Sequence, residues 1–274
     1  MLLSPSMQLV TIPFSHYNER ARWALDYFGI EYTQRSYLPV FHLLGVALAT
    51  RGRAGVADGI SSRWSTPLLV QAPGRFLRDS GKILRWASDT HGTPQTTLYP
   101  PEHQAAIERV EQQFHDQVGP QTRRLAYGCC LDHRGMLAKL GRDNVGWVQG
   151  GVFTLATPLV ARVLRTRAGV DPHSVEASFQ RVTEEVAAFD RRIDGRRYLF
   201  GDRFTAADLT VACMLSPVLI PSPDEGFAAV LPAVDVLGER WRTRVQQLRD
   251  TPTGRYVLRM FEDERSTPAG VQAP

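Results

Sequence analysis

Asp79 and Ser80 stand where an apolar stripe at helical spacing begins, carried by Ile83, Leu84 and Ala87. A helix N-terminus presents unpaired N–H groups and a partial positive charge, so it suits a carboxylate. An aspartate beside it can hold an ammonium group. Together the two suit the headgroup of an α-amino acid, which carries both charges. Upstream, Thr66-Pro67 opens the short apolar run Leu68 to Val70, Pro73-Gly74 supplies a turn, and Phe76-Leu77 forms a second run. The segment therefore reads strand, turn, strand, helix start. Each half also has a plain structural reading: Thr66-Pro67 as the opening of an edge strand, and Asp79 or Ser80 as an N-cap.

A second cluster of polar side chains, Ser15-His16-Tyr17-Asn18, lies between a short strand pattern that ends at Pro13 and a helix predicted over Glu19 to Phe28. A serine hydroxyl at that junction can donate a hydrogen bond to a thiolate, and the helix N-terminus adds its own stabilisation of the anion. The competing reading of Ser15 is an N-cap. Tyr17 is an alternative hydroxyl donor, or a ring that packs under the first strand. His16 and Asn18 read as residues at the edge of a site, and His42 as a surface or internally satisfied histidine. No cysteine precedes Cys129, so thiol–disulfide exchange lacks its nucleophile.

These residues must be positioned by the elements around them. Gln8 to Ile12 predicts a strand. The helix from Glu19 places Ala21, Ala24, Leu25 and Phe28 on one face and stops at Gly29. Tyr32 to Tyr37 can form a second strand, and Val40 to Ala49 a second helix opened by Pro39. A Gly-, Arg- and Ser-rich stretch from Thr50 to Trp64 predicts a long, mobile loop. With the hairpin and third helix the order is β-α-β-α-β-β-α, the thioredoxin-like order.

After the linker composition of 93–101 the pattern becomes helical. Ile107, Val110, Phe114 and Val118 share one face of a long helix. In Gly201-Asp-Arg-Phe-Thr-Ala-Ala-Asp-Leu, Thr205 and Asp208 form a capping box, and Phe204 and Leu209 a hydrophobic staple. That motif serves folding, which leaves Asp208 outside the candidate site. Trp241, Val245 and Leu248 continue the helical pattern, Pro252 to Phe261 add a last helix, and a disordered tail is expected over 263–274.

The Pro-strand-turn-strand-acid-Ser series, the strand–helix junction at Ser15 and the Tyr198-Leu-Phe-Gly segment before the capping box resemble the glutathione transferase family, in the family's order, over about residues 8–262. The resemblance is to a serine-type or atypical bacterial-like class. It implies an α/β plus all-α architecture, with a thioredoxin-like N-terminal domain (8–92) followed by a helical-bundle C-terminal domain (102–262). It assigns the cysteinyl part of glutathione to the backbone at Thr66, before a cis Pro67, and the γ-glutamyl end to Asp79 and Ser80. It gives Ser15 or Tyr17 the thiol sulfur. An apolar small-molecule electrophile would lie in a cleft lined by Tyr17, Phe114 and Tyr127. The family's basic or amide residue for the glycyl carboxylate has no clear counterpart. Arg51, Arg53 and Arg63 are candidates, and another low-molecular-weight thiol in place of glutathione stays open. The implied activity is transfer or transient use of a thiol, as in conjugation, isomerisation, detoxification or a biosynthetic step, in a homodimer. The same fold also serves as a non-catalytic scaffold.

Bulk properties fit a two-domain chain of 274 residues with 43% hydrophobic content. The first residues do not read as a signal peptide, and three cysteines at unsuitable spacing give no disulfide framework or metal site; a cytoplasmic location is the expectation. All but Lys82 and Lys139 of the 32 basic residues are arginine. These arginines are interleaved with acids such as Glu184, Asp190 and Glu239, as on a solvated helix face, so no nucleic-acid partner is expected. The uncharged stretch Asn144 to Ala161 approaches the length of a membrane span. Its glycines, threonines and Pro158 favour a buried, kinked core helix instead.

Overall fold

The computed structural model describes residues 7–53, 63–133, 135–193, 195–265 and 271–272. The β-α-β-α-β-β-α order predicted for the first part is the observed one: β1 (Met7–Thr11), α1 (His16–Tyr27), β2 (Tyr32–Ser36), α2 (His42–Ala49), β3 (Leu68–Ala72), β4 (Arg75–Arg78) and α3 (Ser80–His91). β1 runs parallel to β2 and antiparallel to β3, and β3 continues into β4 through a turn whose Gly74 has φ of 80°. Only glycine adopts that angle without steric cost.

Alternation along the strands decides which helix covers which face. In β1 and β3 the paired residues Leu9 and Leu69 face α1 and α3, and pack with Ala21, Leu25, Ile83 and Leu84. Val10 and Leu68, also paired, point the other way and meet Val46 of α2. The sheet is thereby covered on both faces, and the start of α1 and the Thr66–Pro67 segment come to one edge of the unit.

From Gln104 onward the described chain is helical apart from one short strand: α4 (Gln104–Gln113), a π-helical turn (Phe114–Val118), α5 (Gly119–Asp132), α6 (Met136–Asn144), α7 (Trp147–Arg167), α8 (Pro172–Ile193), α9 (Ala206–Leu219), α10 (Glu239–Arg249) and α11 (Pro252–Glu264). The centre of this bundle is α9, which is apolar on all sides and buried over nearly its whole length. At its start the Asp208 carboxylate accepts from the Thr205 N–H at 2.7 Å, as the capping box predicts, and also from the Leu199 N–H at 2.7 Å and the Tyr256 hydroxyl. Burial raises the Asp208 pKa above the ordinary carboxylate value despite these donors.

Five expectations need correction or fall outside the described residues. The long helix through Phe114 and Val118 is interrupted by the π turn, which swings the following segment toward α1. Phe114 itself is core, 2% exposed and edge-on to Phe189 at 5.4 Å, and does not line the cavity described below. The Asn144 to Ala161 segment is helical but not buried: α7 packs Phe153, Val160 and Leu164 inward while Trp147, Leu155 and Leu159 are 88%, 85% and 66% exposed. The span Trp147–Thr166 is long and apolar enough to cross a membrane, with mean hydropathy 1.2 and 28% of it buried. The expected disordered tail starts too early. Glu264 ends α11, Arg265 is buried, and Val271–Gln272 form β5 beside β2. Most of the loop expected to be mobile, residues 54–62, lies outside the described residues.

Arg265 ties the end of the chain to α1. Its Nε donates to Glu19 at 2.8 Å and its guanidinium pairs with Asp26 at 2.8 Å, while Arg22 donates to the other Glu19 oxygen at 2.6 Å. All four side chains are buried. Burial alone would raise the Glu19 pKa, but the two arginines override it and hold the carboxyl below its usual value. The adjacent Trp23 indole donates to the Glu264 carbonyl at 3.2 Å, so the helix that carries the candidate site is fixed along its length.

Candidate functional site

The N-terminus of α1 supplies the first wall of the site. Ser15 is the N-cap residue, with φ −82° and ψ 124°, and its carbonyl accepts from the Glu19 N–H at 2.8 Å. Its side chain makes no capping bond, so the hydroxyl is not used by the helix. It lines an elongated cavity of about 260 Å³ between the two halves of the chain. The opposite walls come from α5 (Arg123, Ala126, Tyr127, Cys129, Cys130), from Met136 and Leu140 of α6, and from the segment Phe227 to Leu237.

Thr66 joins Ser15 on the same cavity. The Thr66–Pro67 bond is cis, as the resemblance implies. β3 pairing with β1 begins only at Leu68, and the Thr66 main chain makes no backbone hydrogen bond among the described residues, which leaves it open to a ligand. The Asn18 amide, fully buried, donates to the Thr66 hydroxyl at 3.3 Å and so ties the proline loop to α1.

Tyr17 lines the cavity but is already committed. Its hydroxyl donates to the His115 carbonyl at 3.0 Å in the π turn. Burial pushes its pKa up to about 12, against the pull of Arg123 and Arg20, so the phenol stays neutral at physiological pH. The His16 ring packs against Tyr17 with centres 4.2 Å apart and planes tilted by 39°, and is 3% exposed; burial first, then Arg123 and His115, hold its pKa well below the ordinary histidine value. Cys129 and Cys130 belong to the cavity wall, and burial raises both thiols, Cys130 to about 12, which keeps them protonated.

Asp79 lines a second recess of about 370 Å³, walled by charges of both signs: Arg20, Lys82, Arg85, Glu108, Glu111 and Asp116, with His115; Ser80 is not part of that wall. Asp79 caps α3, since Oδ1 accepts from the Gly81 N–H at 2.8 Å and the Lys82 N–H at 3.3 Å. The structural and binding readings of this residue are compatible, because Oδ2 points the other way, 3.4 Å from His115 Nε2. Asp79 has φ 75° and ψ 132°, a left-handed angle that costs a non-glycine residue energy and is found at binding sites. Ser80 is 1% exposed and its hydroxyl has no partner among the described residues. A wall of mixed sign suits a zwitterionic headgroup.

Of the residues predicted from sequence, Ser15, Tyr17, Thr66 and Tyr127 meet at the cavity, Pro67 sets the Thr66 backbone, Asp79 lines the second recess, and Ser80 is buried outside the lining of both. Arg51, Arg53 and Arg63 are exposed and line neither of the two. Sequence reasoning missed Arg20, His115 and Arg123. Arg20 pairs with Glu111 and sits 3.2 Å from His115 Nδ1, so it links α1 to the π turn behind Asp79. Nothing in the local pattern marks these three: Arg20 and Arg123 are single charged residues on helices, and His115 lies in a π turn that the helical spacing does not reveal.

Residues 172–244 match the sequence model of the glutathione S-transferase C-terminal domain. The whole chain superimposes on a glutathione S-transferase of Ceriporiopsis subvermispora solved with glutathione, with a TM-score of 0.62 and 15% identity over 96% of this chain and 99% of that one. A theta class glutathione S-transferase from Xanthomonas axonopodis pv. citri, with glutathione bound, superimposes with a TM-score of 0.52 and 17% identity over 93% and 97%. No curated protein sequence matches significantly. A thioredoxin-like unit followed by this helical bundle defines the glutathione transferase fold. The chain has that fold, and residues 172–244 of its helical half match the family's C-terminal domain.

Proposed function

We propose that the protein binds glutathione, or a closely similar thiol, and activates its sulfur for attack on an apolar electrophile. The γ-glutamyl end would occupy the recess at Asp79, next to Ser80, the cysteinyl backbone would pair with Thr66, and the sulfur would reach Ser15. The observation that carries the reading is the Ser15 hydroxyl: it stands at a helix N-terminus, makes no capping bond, and lies in the wall of an apolar cavity beside a cis-proline loop. A donor and a helix dipole together stabilise a thiolate, which lowers the thiol pKa. The solved relatives with glutathione bound support the ligand class. The division at residues 93–101 and a homodimer, whose interface could bury exposed apolar residues such as Leu44 and Leu48 of α2, belong to the same reading.

Thermal shift and calorimetry with glutathione, alongside other cellular thiols, test this directly, because a ligand that binds only the folded state stabilises it by mass action. Stabilisation by glutathione, followed by thiol-dependent turnover of an electrophile, is expected. Binding without turnover favours a scaffold role, and no binding by any thiol removes the proposal.

A further inference from the structure

The cavity beside Ser15 is apolar, with Phe14, Tyr127, Met136, Leu140, Phe227 and Leu231 among its walls. Of its lining residues Arg123 alone carries a formal charge at neutral pH, and none is acidic. The Arg123 guanidinium lies 5.9 Å from the Tyr17 ring centre and has no carboxylate partner among the described residues. Its neighbour Arg124 differs: it donates to Gln121 and Ser178 at 2.9 Å and is structural. Two further donors or acceptors lie unused on the same walls. His16 Nε2 and His42 Nδ1 are both buried without a partner, and the His16 side chain is almost wholly enclosed. Polar nitrogens left unpaired in an apolar setting cost free energy until a ligand satisfies them.

We propose that this cavity takes an apolar molecule that carries an anionic group, a carboxylate or sulfonate, with Arg123 as its counter-charge. Arg123 is exposed at the cavity wall, where it attracts an anion, while a cationic ligand would meet a like charge and find no acid in the lining to balance it. Burial lowers the pKa of both histidines, so each is neutral and the counter-charge falls to Arg123. This specifies the electrophile class of the function proposed above and rests on the cavity being its binding site. Glutathione also carries carboxylates, so the test must separate the two sources.

Titration calorimetry of 1-naphthoate and the uncharged 1-naphthamide makes that separation, with glutathione titrated in parallel against wild type, Arg123→Gln and Arg123→Lys. A charge-assisted hydrogen bond corresponds to about tenfold or more in affinity, so wild type should prefer naphthoate by that factor. Arg123→Gln should abolish the preference, Arg123→Lys should keep part of it, and glutathione affinity should not change. Equal binding of the two probes, absence of binding by both, or an unchanged preference in Arg123→Gln would overturn the proposal. So would a loss of glutathione affinity in Arg123→Gln, which would assign the arginine to the thiol ligand. Naphthoate preference without glutathione binding would instead remove the thiol reading and leave the anion site standing.

Discussion

The Tyr17 hydroxyl donates to the His115 carbonyl at 3.0 Å, joining the first turn of α1 to the π turn between α4 and α5. Close approach of the two helices depends on Gly119, where a Cβ would stand 2.4 Å from that hydroxyl and 2.9 Å from the Met214 sulfur. With the phenol proton committed there, the proposed function gives Tyr17 the role of fixing the cavity geometry and Ser15 that of activating the thiol. Tyr17→Phe should cost about 0.5–1.5 kcal/mol of stability through the lost hydrogen bond. The pH–rate profile of thiol transfer should stay where it is; a profile that moves would return the activating role to Tyr17.

Ser15→Ala gives the opposite pattern. Loss of one donor to an anion costs about 10²–10³ in rate where water is excluded. The α1 N–H groups remain in this variant, so a loss of roughly tenfold is expected. With the donor removed the bound thiol ionises at higher pH, and the rising limb of the rate profile should move upward. Wild-type turnover with an unmoved profile would exclude Ser15.

Asp79 does two jobs, and Asp79→Asn separates them. Asparagine keeps an acceptor for the Gly81 and Lys82 N–H groups and tolerates the positive φ, so the melting temperature should change little. The charge that would hold an ammonium is gone, and glutathione affinity should fall by about tenfold or more. Calorimetry showing unchanged affinity would take Asp79 out of the site.

Arg265→Met tests the buried ion cluster. It removes the buried cation that pairs with Asp26 and with one oxygen of Glu19, at a cost of about 3–5 kcal/mol in urea unfolding. The same cluster predicts an acid limit. Glu19 has a folded pKa below its unfolded value, so its contribution is complete above the ordinary glutamate pKa of about 4.3 and is lost as pH falls through the folded value. Wild type should therefore lose stability below about pH 4, and Arg265→Met should lose less over that range.

Sedimentation at micromolar concentration checks the homodimer. A species of twice the 30.6 kDa chain mass is expected, and a monomer would remove that part of the proposal.

The strand and helix order of the first half was readable because alternation at Leu9, Val10, Leu68 and Leu69 and helical spacing at Ile83, Leu84 and Ala87 are local patterns. The capping box at Thr205 and Asp208 is equally local, four residues whose partners are each other. Ser15, Thr66 and Asp79 were readable as candidates since each sits at an element boundary, where backbone groups lack partners. The assembly of the site depends on long-range packing. Asp79 meets His115, Tyr17 meets Gly119, and Arg265 reaches Glu19 from the far end of the chain. The exposure of α7 shows the same limit from the other side: an apolar sequence is compatible with burial, but only the packing partners decide it. Periodicity records which face of an element is apolar. Which cation then stands at a cavity wall, as Arg123 does, is a property of neighbours that sequence distance does not encode.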